Sequence, residues 1–263
     1  MAHSLRKYAK TAIISAGGLV GDSKLFMVDY LLRLLRVALL LSIWRTLFAG
    51  RGAVGGMTLA MILTYTLVAE AFADPLAAAT DLPDTFWEGN IITRYLRPLN
   101  LFGQFAAEAC GKWALGFCLF SAPLLLIAPF IGVNPLPANG TAALLFALSL
   151  TLAVGVGLAL ENTFVAVGLM VQIPIWGLDR LRVALNLLLS GSFIPLALLP
   201  FRLGRIFEWL PFASMASAPM RLYIGKGDPF RLLGLQIAWC AVLWPLAFHL
   251  WNISREKMVS YGG

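Results

Sequence analysis

Four acids, Glu70, Asp74, Glu108 and Glu161, fall within or beside long apolar runs. An acid inside a membrane span is by default a candidate for function, for instance proton coupling. Each of these, however, lies near one end of its run, so solvated residues at a membrane edge are expected. Asp81 and Asp84 are spaced to offer two carboxylates to Mg²⁺. Such hard cations take more oxygen ligands than that, and the expected role of the pair is at the start of a helix.

Other reactive chemistry is missing from the chain. Gly225-Lys226 lacks the upstream glycine and the following hydroxyl of a GxxxxGK[ST] phosphate loop, so ATP hydrolysis by that route is excluded. HExxH and GxSxG are absent as well. His3 and His249 are far apart, without Cys or acid at ligand spacing, and no metal site is expected. Cys110, Cys118 and Cys240 form no CxxC and lie in or beside apolar helices, which predicts buried free thiols.

The elements that must position these residues are membrane spans. Of 263 residues, 60% are hydrophobic and 13% charged, against about 25% charged in soluble domains. The net charge of +7 does not point to nucleic acid, because Lys and Arg sit mostly beside apolar runs, where they set topology and meet anionic headgroups.

The predicted fold is all-α and integral to the membrane, a single domain over 1–263. An amphipathic helix over 4–20 lies on the membrane surface, and Gly17, Gly18 and Gly21 loosen the chain after it. Six spans follow, over 31–47, 57–79, 113–131, 141–160, 183–200 and 232–250, with 101–112 as a helical lead-in to the third. Arg36 and Arg45 must snorkel to opposite interfaces or face protein. Gly155 and Gly157 suit close helix packing. The stretch 201–231, with Pro211, Pro219 and Gly225, is too short and broken to span, and a re-entrant hairpin fits it. Six spans put both termini on one side. That side holds thirteen of the twenty basic residues, which makes it cytoplasmic.

Asp81 to Asn100 is the sizeable polar island between these runs. A short helical turn from Asp81 carries Phe86 and Trp87, Gly89 and Asn90 break it, and Ile91 to Leu96 is expected to run on extended to Arg97-Pro98. Unsatisfied backbone cannot sit in hydrocarbon, so the island lies in water or inside a partner. An exposed Phe-Trp pair flanked by acids suits docking into a groove of another protein; the alternative is a loop with aromatics among the headgroups.

The run WEGNIITRYLRPLNLF and the run LLSGSFIPLALLPFRLGRIFEWLPFASMASAPMRLYIGK together resemble the permease subunits of ABC-2 type exporters. The likeness in the first rests on Gly89, Ile91, Tyr95, Leu96, Arg97, Pro98 and Leu99. In the second it rests on Ser190, Gly191, Pro195, Pro200, Leu210, Pro211, Phe212, Pro219 and Gly225, and the closing Tyr261-Gly262-Gly263 also fits. Glu161-Asn162-Thr163 departs from the aromatic-rich helix end expected there.

The resemblance implies a half-transporter in a bacterial cytoplasmic (inner) membrane. A second permease chain, identical or paralogous, completes the pathway for a drug, lipid or glycan, and a pair of ABC ATPase subunits binds the ATP and Mg that this chain does not. On that reading 81–100 is the coupling segment: Phe86 and Trp87 fill the ATPase groove, Asp84 and Glu88 pair with its basic rim, and Arg94 and Arg97 hold headgroup phosphates. Ser190, Gly191, Pro195, Pro200, Pro211, Phe212, Pro219 and Gly225 form an extracytoplasmic gate. A lipid-modifying enzyme or a membrane assembly factor is the rival class.

Overall fold

The computed structural model describes residues 2–19 and 23–261, with side chains over 6–18 and 27–254. Gly21, Gly262 and Gly263, each given a role above, lie outside the described residues. In chain order the helices are α1 (Ala2–Leu19), α2 (Ser23–Leu47), α3 (Leu59–Ala71), α4 (Ala73–Ala77), α5 (Leu82–Trp87), α6 (Ile91–Tyr95) and α7 (Leu101–Gly116). A π turn (Phe117–Ser121) joins α7 to α8 (Ala122–Ile127), and a 3₁₀ turn ends that rod at Ile131. Then come α9 (Gly140–Val171), α10 (Ile175–Leu189), α11 (Leu203–Phe207), α12 (Pro211–Met215), α13 (Ser217–Tyr223) and α14 (Pro229–Tyr261). Among the described residues the one β feature is an isolated bridge between Val54 and Met57.

Local chemistry sets the helix starts. The side chains of Thr58, Asn100 and Asn139 accept from Met61 N (3.4 Å), Gly103 N (3.3 Å) and Ala142 N (2.7 Å), capping α3, α7 and α9. The lead-in expected over 101–112 is not separate from the third span: 101–131 is one rod. Pro123 lacks the N–H that a regular helix would donate to the preceding turn, and the π turn just before it takes up the misfit.

Three helices among the described residues, Leu101–Ile131, Gly140–Val171 and Pro229–Ser254, are long and apolar enough to cross a membrane. They correspond to the third, fourth and sixth expected spans. Helix α3 is shorter but apolar all round, and Ile62 to Ala71 are all buried, as a central helix requires. Helix α9 is the other axis of the fold, packing on α14, α13, α10 and α12.

Helices α9 and α10 depart from their expected bounds. Helix α9 does not stop at Leu160 but continues through Glu161 to Val171, because the acid that reads as a membrane edge is buried and paired. Helix α10 starts at Ile175 and ends at Leu189, not at 200, where Ser190 and the left-handed Gly191 (φ 79°) turn the chain. The thiols are free, but Cys110 and Cys118 face outward and Cys240 is half-buried, so none is a core residue of this chain. Arg36 and Arg45 face protein: Arg36 pairs with Glu70, and Arg45 donates to the Ile131 carbonyl.

Helix α1 lies along α7. A Cβ on Gly111 would stand 2.0 Å from the Ala12 carbonyl oxygen, and one on Gly103 would stand 2.8 Å from the Tyr8 ring. The two glycines open the groove in which α1 sits. Gly157 of α9 likewise admits Ala78 and Met215, whose atoms would be 2.3 and 2.8 Å from a Cβ there.

Candidate docking element and hairpin

Helices α5 and α6 stand at one end of the bundle. Pro83 in the first turn presets the α5 backbone, and Gly89 (φ 72°) ends it where a side chain would be strained. Asp81 precedes the helix but makes no cap bond, since Lys112 Nζ takes its carboxylate at 2.7 Å. Residues 91–95 are helical, not extended, and Thr93 closes that turn by donating its hydroxyl to the Asn90 carbonyl at 2.7 Å.

The expected Phe-Trp pair is split. Trp87 is 74% exposed. Phe86 turns inward, its ring edge-on to Trp251 of α14 at 6.0 Å and beside the cluster of Leu82, Phe105 and Val165. The exposed apolar face is therefore Trp87, Ile92 and Leu96; of these Ile92 is not singled out by the sequence, and Leu96 reads there as part of an extended run. Asp84, Glu88, Gly89, Arg97 and Pro98 are also exposed. Partial burial holds the Asp84 carboxyl above its ordinary range, and the neighbouring acids Asp81, Asp179 and Glu88 add to this.

Arg94 does not point out toward headgroups. It pairs with Glu108 of α7 and lies over the Phe105 ring at 4.9 Å, with Arg97 3.3 Å from the same carboxylate. Glu108 is one of the four acids expected to be solvated; all four are paired. Arg33 bonds both Asp74 oxygens at 2.9 and 3.0 Å, and Arg36 bonds Glu70.

The fourth acid is the deepest. Glu161 is 1% and Arg182 2% exposed. The Glu161 carboxylate accepts from Thr80 N (2.8 Å) and Thr80 Oγ1 (2.7 Å), and lies 3.4 Å from Arg182. Arg182 also reaches Asp179 at 2.9 Å and the Ala77 carbonyl at 3.2 Å. A buried charge survives only when its remaining donors and acceptors are met, as they are here. Bonds, ion pairs and ring contacts thus tie the α5–α6 segment to α7, α9 and α14, and α10 packs against α5.

At the opposite end, α12 and α13 form a hairpin against α9. Met215 at the tip reaches Gly157, and Tyr223 on the return donates to the Pro135 carbonyl in the loop before α9. Gln236 of α14 pins the hairpin: its amide donates to the carbonyls of Ser149 (3.0 Å) and Ser214 (2.8 Å) and accepts from the Ser149 hydroxyl (2.8 Å). Ser190 O accepts from Ser217 N at 2.9 Å, and Gly191 O accepts from the buried Tyr65 hydroxyl at 2.7 Å.

Most of the expected gate residues meet here. Ser190, Gly191, Pro195, Phe212 and Pro219 are buried, and Pro211 opens α12 half-buried. Gly225 (φ 69°) turns the chain beside Ala138. Pro200 is exposed and apart from them. A cavity of about 250 Å³ lies among Tyr65, Pro195, Glu208, Ser217 and Arg221, with Arg221 bonded to Glu208 at 2.7 Å.

A sequence model described as ABC-2 family transporter protein matches residues 34–262. The chain belongs to the ABC-2 transporter family. This ABC-2 permease is accordingly a multi-pass membrane protein and a transport component of an ABC exporter, a role associated with an ABC ATPase. No curated protein and no solved structure matches the permease. The match covers both the α5–α6 segment and the hairpin.

Proposed function

We propose that the chain is one permease half of an ATP-driven exporter and that α5–α6 is the surface on which the ATPase docks. The observation that carries this is the exposed Trp87 beside Asp84 and Glu88, on an element that bonds and ring contacts tie to three helices. A large aromatic on a rigid base is a good anchor, since little side-chain freedom is lost when it fills a pocket. Movement of that anchor pulls on Glu161 through Thr80 and on Trp251 through Phe86. It is thereby passed to α9, which also bears the hairpin.

On this reading α2, α3 and α10 complete six spans with the three long apolar helices, the α5–α6 end is cytoplasmic, and the membrane is a bacterial inner membrane. Helices α12 and α13 re-enter from the far side as the gate. ATP and Mg are bound by the partner ATPase pair, and a second permease chain completes a pathway for a hydrophobic or amphipathic substrate. The test is purification of the tagged chain in mild detergent, with its partners identified by mass spectrometry and the ATPase activity of the complex measured. Co-purification of an active ABC ATPase supports the reading; a chain that comes out alone, even when co-expressed with the ATPase, refutes it.

A further inference from the structure

A second cavity, about 590 Å³, opens beside α5–α6, between α1 and α7. That volume is within the roughly 300–1,000 Å³ of small-ligand pockets. Its walls combine Arg94, Arg97 and Lys112 with Asp81 and Glu108, three cations against two carboxylates, a net charge of +1. The carboxylates fix the cations without exhausting them. Arg97 reaches Glu108 by one long bond of 3.3 Å and is otherwise turned outward, and a guanidinium has five N–H donors in a planar fork suited to phosphate oxygens.

The α1 wall supplies the other half of an amphiphile site. Thr11, Ser15 and Gly18, at i, i+4 and i+7, line the polar interior, while Ile14, 75% exposed, forms an apolar lip beside the equally outward Ile13. Among the described residues nothing lies within 4 Å of a Cβ built on Gly18, so its lack of a side chain answers no packing need there and leaves the cavity open. A polar, net-cationic interior with an apolar lip fits a molecule with an anionic phosphate head and an acyl tail.

We propose that this crevice holds the headgroup of an anionic phospholipid, the phosphate on Arg97 and Lys112 and the acyl chains leaving past Ile14. The proposal rests on α1 lying at the membrane surface, and its readout does not involve the ATPase, so it can fail while the docking reading stands.

The test is native mass spectrometry of the purified chain in a mild uncharged detergent, titrated separately with phosphatidylglycerol, phosphatidylcholine and glycerol phosphate. One phosphatidylglycerol should stay bound at least tenfold more tightly than either of the others. R97Q should weaken it at least tenfold and R97K much less. G18L, which fills the cavity without touching an ion pair, should abolish it even if R97Q proves unstable. Equal binding of phosphatidylglycerol and phosphatidylcholine, or undiminished binding by G18L, would overturn the site. Glycerol phosphate binding as tightly as the lipid would overturn the lipid assignment in favour of a soluble phosphate ester.

Discussion

Thr80, two residues before α5, gives both its backbone N–H and its hydroxyl to the two carboxylate oxygens of Glu161, at 2.8 and 2.7 Å. The docking element is therefore hung from the second half of a 32-residue helix, with Arg182 neutralising the charge from the other side.

That arrangement predicts an order of stabilities. Breaking a buried pair costs about 3–5 kcal/mol. E161A should fall near the lower end, because Asp179 still faces Arg182. R182A should cost more, leaving Glu161 and Asp179 without their cation. Thermal unfolding in detergent should rank wild type above E161A and E161A above R182A; the reverse order of the two variants would show that Glu161 is not held by Arg182.

The seat of α1 predicts a contrast between glycines. A side chain at Gly111 must displace the Ala12 backbone, and overpacking of this kind costs about 1–3 kcal/mol. G111V should release α1, read as faster tryptic cleavage after Arg6, Lys7 and Lys10. G17A, at a position with open space, should slow cleavage slightly, since Ala favours helix over Gly by about 1 kcal/mol. Equal cleavage of the two variants would place α1 off the groove.

The hairpin depends on one amide. Q236L removes the acceptor of the Ser149 hydroxyl and the amide donor to Ser214 O, at about 1–3 kcal/mol for each buried group left unpaired, while Ser149 O keeps its place in the α9 ladder. Hydrogen exchange over residues 211–223 should rise in Q236L while that of α3 stays slow. Unchanged exchange in the hairpin would mean that packing on α9 alone fixes it.

Acidity should weaken docking. The Asp84 carboxyl lies above its ordinary range, first through partial burial and then through Asp81, Asp179 and Glu88. Its own contribution to folding therefore improves as pH falls through that raised value, because the protonated form is the favoured one. Pairing with a basic rim needs the ionised form and responds in the opposite sense. ATPase binding should begin to weaken at a higher pH than an ordinary aspartate would give, and D84N should flatten that part of the profile. A wild-type profile identical to that of D84N would remove Asp84 from the interface.

Much of this was legible in the residue order. Apolar runs mark the three long helices, the Asp81–Asn100 island marks the segment that stands outside them, and Ser190-Gly191 with the later prolines marks the broken stretch before α14. What could not be read was pairing across the chain. Glu161 looks like a membrane edge until Arg182, 21 residues on, is folded against it, so α9 was expected to end too early. Phe86 and Trp87 are indistinguishable by type; Trp251, far along the chain, draws one inward and leaves the other out. Arg94 reads as a headgroup anchor only while Glu108 and Phe105 of the next helix are out of view.

That division between Phe86 and Trp87 gives the most direct test of the docking surface. The affinity of the ATPase for the purified permease should be measured beside thermal stability for wild type, W87A and F86A. We predict that W87A leaves the unfolding temperature unchanged and weakens ATPase binding at least thirtyfold, the ~2 kcal/mol or more of an interface anchor. F86A should instead lower stability, by less than the ~3 kcal/mol of a fully buried aromatic, because the Phe86 ring is half-buried against Trp251. Full ATPase affinity in W87A, with its stability intact, would contradict the assignment of α5–α6 as the docking element.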